Sequence, residues 1–178
     1  MSNLQKGILE QRIAQFKEEI GSRPLNEEQK KIFAAFTKVN GSKIYVHAVD
    51  CEGVVLKVLL ESSGEVKKIL LKHYKGTEGT VSANDILNMF HVVRTGDKQF
   101  SSGNYVYTKF IYRKGKRYRV VLKIHDNGTD AVLKSFNTKD ESENKKAPSN
   151  PPSANPKKGR VRNSKVHGKG IKKNRKSK

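Results

Sequence analysis

Cysteine is nearly absent from this chain of 178 residues, where Cys51 stands alone in a Cys-Glu-Gly turn. One thiol cannot close an intramolecular disulfide, and without companion ligands it cannot hold zinc. A reducing compartment is therefore expected, and no metal or cofactor is. Long apolar runs are missing too. No stretch approaches the about 18 residues of a membrane span, and the N-terminus M-S-N-L-Q-K-G-I-L-E-Q-R has no apolar signal core, so a soluble, cytoplasmic product is expected. Delivery to another cell, or packaging in a virion, by a route needing no cleavable signal stays open. No glycine-rich phosphate loop, H-E-x-x-H helix or G-x-S-x-G elbow occurs, which sets aside nucleotide hydrolases, zinc proteases and serine hydrolases.

Acidic residues are also scarce: 17 stand against 37 Lys and Arg, a formal charge of +20. Residues 138–178 hold 14 basic and 3 acidic residues, a net +11, which leaves +9 on residues 1–137. Both parts call for a polyanionic partner. Nucleic acid ranks ahead of a membrane surface, because no amphipathic lysine-rich helix or lipidation motif accompanies the charge. Beyond Phe136 the composition turns to Ser, Asn, Pro, Lys and Gly, and such a segment cannot bury enough surface to offset its ordering entropy. Residues 138–178 are expected to be a disordered basic tail, whose Arg160, Arg162, Lys172, Lys173 and Arg175 make nonspecific phosphate contacts or dock on an acidic protein.

What is plainly present is a β-hairpin from Lys116 to Asn137. Two alternating runs flank Asn127-Gly128, a dipeptide suited to the positive φ angles of a type I′ turn. With those two residues as the loop, Ile124 pairs with Ala131, Leu122 with Leu133 and Val120 with Ser135 on an apolar face. The other face sets Arg119 opposite Phe136, Val121 opposite Lys134 and Lys123 opposite Val132. Positive charge beside an aromatic ring suits a phosphate and a stacked base; the plainer alternative is a solvated outer face whose lysines discourage edge pairing.

Upstream, Leu4, Ile8, Ile13, Phe16 and Ile20 recur at helical spacing until Gly21 and Pro24. A second helix starts at Asn26, where Gln29 completes a capping box, and runs to Asn40-Gly41. The two are expected to pair as a helical hairpin over residues 1–41. From Lys43 the period changes to two across K-I-Y-V-H-A-V-D and V-V-L-K-V-L-L-E, a second hairpin. Glu65 to Tyr74 returns to helical spacing with His73 in its last turn, and Ser82 caps a helix from Ala83 to about Val93. Residues 105–112 form a strand, and Arg113 to Lys116 turns it into the central hairpin. The expected fold is α+β: N-terminal helices, then over 42–137 a small curved antiparallel sheet with a C-terminal three-stranded meander.

From Val66 onward, a helix ending I-L-L-K-H-Y, the helix S-A-N-D-I-L-N-M-F-H-V-V, and strands Y-V-Y-T-K-F-I-Y, Y-R-V-V-L-K-I-H and A-V-L-K-S-F follow one another. Over about 70 residues this order resembles the phage-associated branch of the barnase/EndoU/colicin/RelE-like nuclease superfamily. The resemblance implies a small α+β, metal-independent ribonuclease of phage, mobile-element or toxin type, with an immunity protein as a further partner. It implies His73, Arg119 and Ser135 as catalytic residues. Each has an innocent alternative: a helix-end cap, a solvated strand arginine and a backbone-bonded serine. The regular hairpin register also sets Ser135 and Arg119 on opposite faces, which a β-bulge near the strand end would reconcile.

RNA carries its own nucleophile in the 2′-hydroxyl, so cleavage needs proton transfer and positive charge on the phosphorane, with no metal. His73 is the expected proton-transfer residue. Arg119 with Lys123 or Lys134 would stabilise the phosphate, with Ser135 as a hydrogen-bond donor. Tyr107, Tyr112 or Phe136 would stack on a flanking base, and Lys116 and Arg117 would add phosphate contacts. The rival expectation from another class is a nonenzymatic RNA- or DNA-binding accessory protein using the same sheet face and tail.

Overall fold

A computed structural model describes residues 2–38, 41–76, 79–111 and 114–140; the basic tail expected over 138–178 lies outside them beyond Asp140. All described residues belong to one unit, residues 1–146. The order is α1 (Asn3–Ile20), α2 (Glu27–Thr37), β1 (Lys43–Val49), β2 (Val55–Glu61), α3 (Glu65–Lys72), α4 (Ala83–Leu87), α5 (Met89–Thr95), β3 (Asp97–Ser101), β4 (Asn104–Ile111), β5 (Lys116–Ile124) and β6 (Asp130–Asp140). The α+β class is as expected.

Local chemistry sets the helix starts. Ser2, Asn26 and Ser82 each cap a helix whose third residue, Gln5, Gln29 or Asp85, returns a bond to the cap backbone. The helix expected from Ala83 to Val93 is instead two, broken at Asn88, whose side chain bonds back to the Asn84 carbonyl and accepts from Gln29. Likewise α2 stops at Thr37, short of Asn40-Gly41.

The strands form a single six-stranded sheet in the order β1-β2-β6-β5-β4-β3. It joins the two hairpins through a parallel pairing of β2 with β6, Lys57 to Asp130 through Leu59 to Val132, so the sheet is not wholly antiparallel. The meander has four strands. Strand β3 went unforeseen, and it meets β4 across Ser102 and Gly103, both at positive φ. That two-residue loop is where positive φ at both central positions occurs. At Asn127-Gly128 only the glycine has positive φ; Gly128 N–H donates to the His125 carbonyl in a longer loop, and the Asn127 side chain accepts from the backbone of Thr129 and Asp130. The hairpin register near that loop is nevertheless as expected, with Ile124 opposite Ala131 and Leu122 opposite Leu133.

The helices cover one face. Val46, Ala48, Leu56, Val58, Leu60, Tyr107, Tyr118, Val120, Leu122, Ala131, Leu133 and Phe136 share a buried cluster with residues of all five helices, from Leu9 and Phe16 to Val93. Alternating residues point the other way: Lys43, Tyr45, His47, Lys57 and Lys123 are exposed.

At the far edge Asp50 is fully buried. It accepts from the backbone of Glu52 and Val54, from Lys98 Nζ at 2.9 Å and from the Tyr107 hydroxyl at 3.2 Å. Burial alone would raise its carboxyl, but the Lys98 bond and the two backbone donors outweigh it and hold the pKa below the usual carboxylate value. This pins β3 and β4 to the β1–β2 turn.

Candidate functional site

The second half of the central hairpin departs from regular pairing. A bulge between Val121 and Leu122 leaves Lys134 as an extra residue, after which Val121 pairs with Ser135, Val120 with Phe136 and Arg119 with Asn137. The cause lies in the run Leu133-Lys134-Ser135-Phe136, two polar residues between two apolar ones. Strict alternation would bury Ser135 and expose Phe136. The bulge buries Phe136 instead, worth roughly 2–3 kcal/mol of apolar transfer, and turns Ser135 onto the face opposite the helices.

Ser135 and Arg119 therefore share one face, as the bulge expectation required. The pairs Val120–Ser135, Arg119–Phe136 and Val121–Lys134 do not form. Phe136 is 0% exposed and stacks on Tyr118. Tyr107 is also 0% exposed, its hydroxyl bonded to Asp50. Neither ring is open to a base, because both point into the core. Tyr112 lies outside the described residues, as do Arg160, Arg162, Lys172, Lys173 and Arg175. Lys116 follows the inward phase of Tyr118 and lines a cavity of about 520 Å³ with Glu19, Lys75, Asp85 and Lys114 on the helix side. Arg117, Lys123 and Lys134 belong to the outer face with Arg119.

His73 is brought to this region by the segment leaving α3. It caps α3 through its N–H to the Ile69 carbonyl, and its own carbonyl accepts from Val81 N–H at 2.9 Å. Next to it, Tyr74 is wholly buried, edge-on to Phe16, with its hydroxyl donating to Glu19 at 3.0 Å. The other Glu19 oxygen accepts from Ala83 N–H, so one carboxylate ties the end of α3 to the start of α4. The segment then docks on β6: Thr138 N–H donates to the Gly79 carbonyl and Thr138 Oγ1 to the Thr80 carbonyl, both at 3.1 Å.

Gly79 marks the closest approach. Its φ of +56° lies in the left-handed region that favours glycine, and a Cβ there would lie 2.7 Å from the Thr138 carbonyl, 3.1 Å from Asn137 Cβ and 3.4 Å from His73 Nδ1. The imidazole and Asn137 thus converge on one point, and Asn137 is the cross-strand partner of Arg119. Asn137 was not foreseen. Its Oδ1 is buried with no hydrogen-bond partner. The signal for it was the same interrupted alternation at Lys134-Ser135, which decides which residue faces Arg119. Among the described residues no cluster of three or more His, Cys, Asp or Glu could hold a metal.

Asn137 links the two sides of this region: it pairs with Arg119 on β5, and it flanks Gly79 together with His73 from the end of α3, while Ser135 shares the face of Arg119. His73, Arg119, Ser135 and Asn137 are all half-buried. No protein-family model, curated protein or solved structure matches this chain.

Proposed function

We propose that this protein is a metal-independent RNA endonuclease, cleaving by attack of the RNA 2′-hydroxyl on the adjacent phosphate. The observation that carries the reading is the bulge at Lys134, which sets Ser135 on the face of Arg119, while His73 and Asn137, the partner of Arg119, both border Gly79. In the reaction the 2′-oxygen bonds to phosphorus and the bond to the 5′-oxygen breaks. His73 is the proton-transfer residue, relaying the proton lost by the 2′-hydroxyl, while the departing 5′-oxygen gains one. Arg119, supported by Lys123 and Lys134, neutralises charge on the phosphorane, and Ser135 donates a hydrogen bond to a phosphate oxygen.

The test is incubation of the full chain with labelled RNA and DNA in excess chelator. RNA alone is expected to be cut, leaving a cyclic phosphate end, and His73→Ala and Arg119→Ala are each expected to lower the rate at least about a hundredfold. No cleavage, or undiminished cleavage by both variants, rejects the assignment. Salt-sensitive RNA retention without product would select the binding-only alternative.

A further inference from the structure

We propose a second RNA subsite on the outer face of β1 and β2, in which Tyr45 stacks a nucleobase of single-stranded RNA and Lys57 and Lys43 hold its flanking phosphates. This deepens the ribonuclease reading and rests on it for the identity of the strand.

Tyr45 points away from the helices between inward Ile44 and Val46 and is 42% exposed. The Lys57 ammonium lies over its ring, 4.6 Å from the centroid. Lys43 and His47 sit two residues to either side on the same face, both exposed. Across the sheet Tyr45 pairs with Leu59, Leu59 with Val132 and Val132 with Lys123, one row from the edge to the central hairpin. Leu59 and Val132 are half-buried in that row.

Charge and shape together select the occupant. A sheet face with a part-exposed aromatic ring and three lysines, Lys43, Lys57 and Lys123, against two acids suits single strands, whose unpaired bases offer a π-face while the phosphates seek positive charge. A duplex would offer Tyr45 no free base. The acids on this part of the face are Glu61, opposite Lys43, and Asp130, beside Lys57.

The position fits a strand threaded through the candidate site. Tyr45 lies two strand spacings from β6, and its row meets β6 three residues before Ser135, so roughly 14 Å separates the two side chains. That is the reach of a few nucleotides, not of one. Short substrates would therefore be cut without using Tyr45, and longer ones would gain affinity from it.

The chain contains no tryptophan, so Tyr45→Trp installs a single fluorescent reporter. In a His73→Ala background, which blocks turnover, titration with an oligoribonucleotide eight nucleotides long is expected to quench it by stacking, whereas inorganic polyphosphate is not. Tyr45→Ala is expected to weaken binding of the same oligonucleotide about tenfold, while otherwise wild-type protein carrying Tyr45→Ala cuts a dinucleotide at an unchanged rate. Binding without quenching, quenching by polyphosphate, or undiminished affinity of Tyr45→Ala overturns the subsite. Cleavage by the wild type with no Tyr45 effect overturns the subsite alone. Quenching and a Tyr45 affinity loss without any cleavage by the wild type support the stacking site and overturn the nuclease reading.

Discussion

The hydroxyl of Thr138 donates to the carbonyl of Thr80 at 3.1 Å, while the backbone N–H of the same residue donates to Gly79. Through these two bonds β6 sets the position of the segment that carries His73. Thr138→Val removes the first bond and leaves the Thr80 carbonyl one donor short, at a cost of about 1–2 kcal/mol. RNA cleavage is expected to fall further than stability accounts for, which paired denaturation and rate measurements would reveal. Equal rates in wild type and variant would detach this bond from the site.

Gly79→Ala tests the same contact sterically. A methyl group at this left-handed position meets the Thr138 carbonyl at 2.7 Å, so the segment must shift. Cleavage is expected to drop at least about tenfold, with global unfolding altered by only about 1–3 kcal/mol. A fully active alanine variant would show that His73 works from some other position.

Phe136 decides between a core residue and a base-stacking one. Because it lies at 0% exposure among Tyr118 and the inner strands, Phe136→Ala is expected to cost about 3–5 kcal/mol in chemical denaturation. A surface stacking ring would show almost no loss of stability and a selective loss of RNA affinity.

Lys134 is the extra residue of the bulge. Deleting it leaves Leu133 opposite Leu122 and Ser135 opposite Val121, the pairs already present, and so keeps every side chain on its own face. The deletion variant is expected to fold cooperatively with unchanged far-ultraviolet circular dichroism. Loss of folding would mean that the bulge does more than keep the two faces in phase.

Asp50 sets a lower pH limit on stability. Its folded carboxyl lies below the unfolded value of about 3.9, so its contribution is complete above that value and fades as the pH falls through the folded pKa. Asp50→Asn is expected to cost about 2–4 kcal/mol near neutrality, leaving Lys98 without its buried partner, and to flatten the acid limb of the stability curve. Identical acid limbs in both proteins would remove Asp50 from this role.

The local features of the chain were legible from residue types. Asn26 with Gln29 and Ser82 with Asp85 announce helix starts, because each bond closes within four residues and needs nothing from elsewhere. The alternation through Lys43–Val49 and Lys116–Ile124 declares strands for the same reason. His73, Arg119 and Ser135 could be singled out one by one, but the shared face of Arg119 and Ser135 could not. Whether Ser135 joins Arg119 depends on the competition to bury Phe136, and how the segment after α3 docks on β6 depends on Thr138 holding Gly79 and Thr80. The parallel seam between β2 and β6, the burial of Tyr107 over Asp50 and the docking of Gly79 on Thr138 are contacts between segments far apart along the chain. Their energy is gained only once the core has closed, and so tertiary packing, not local pattern, decided them.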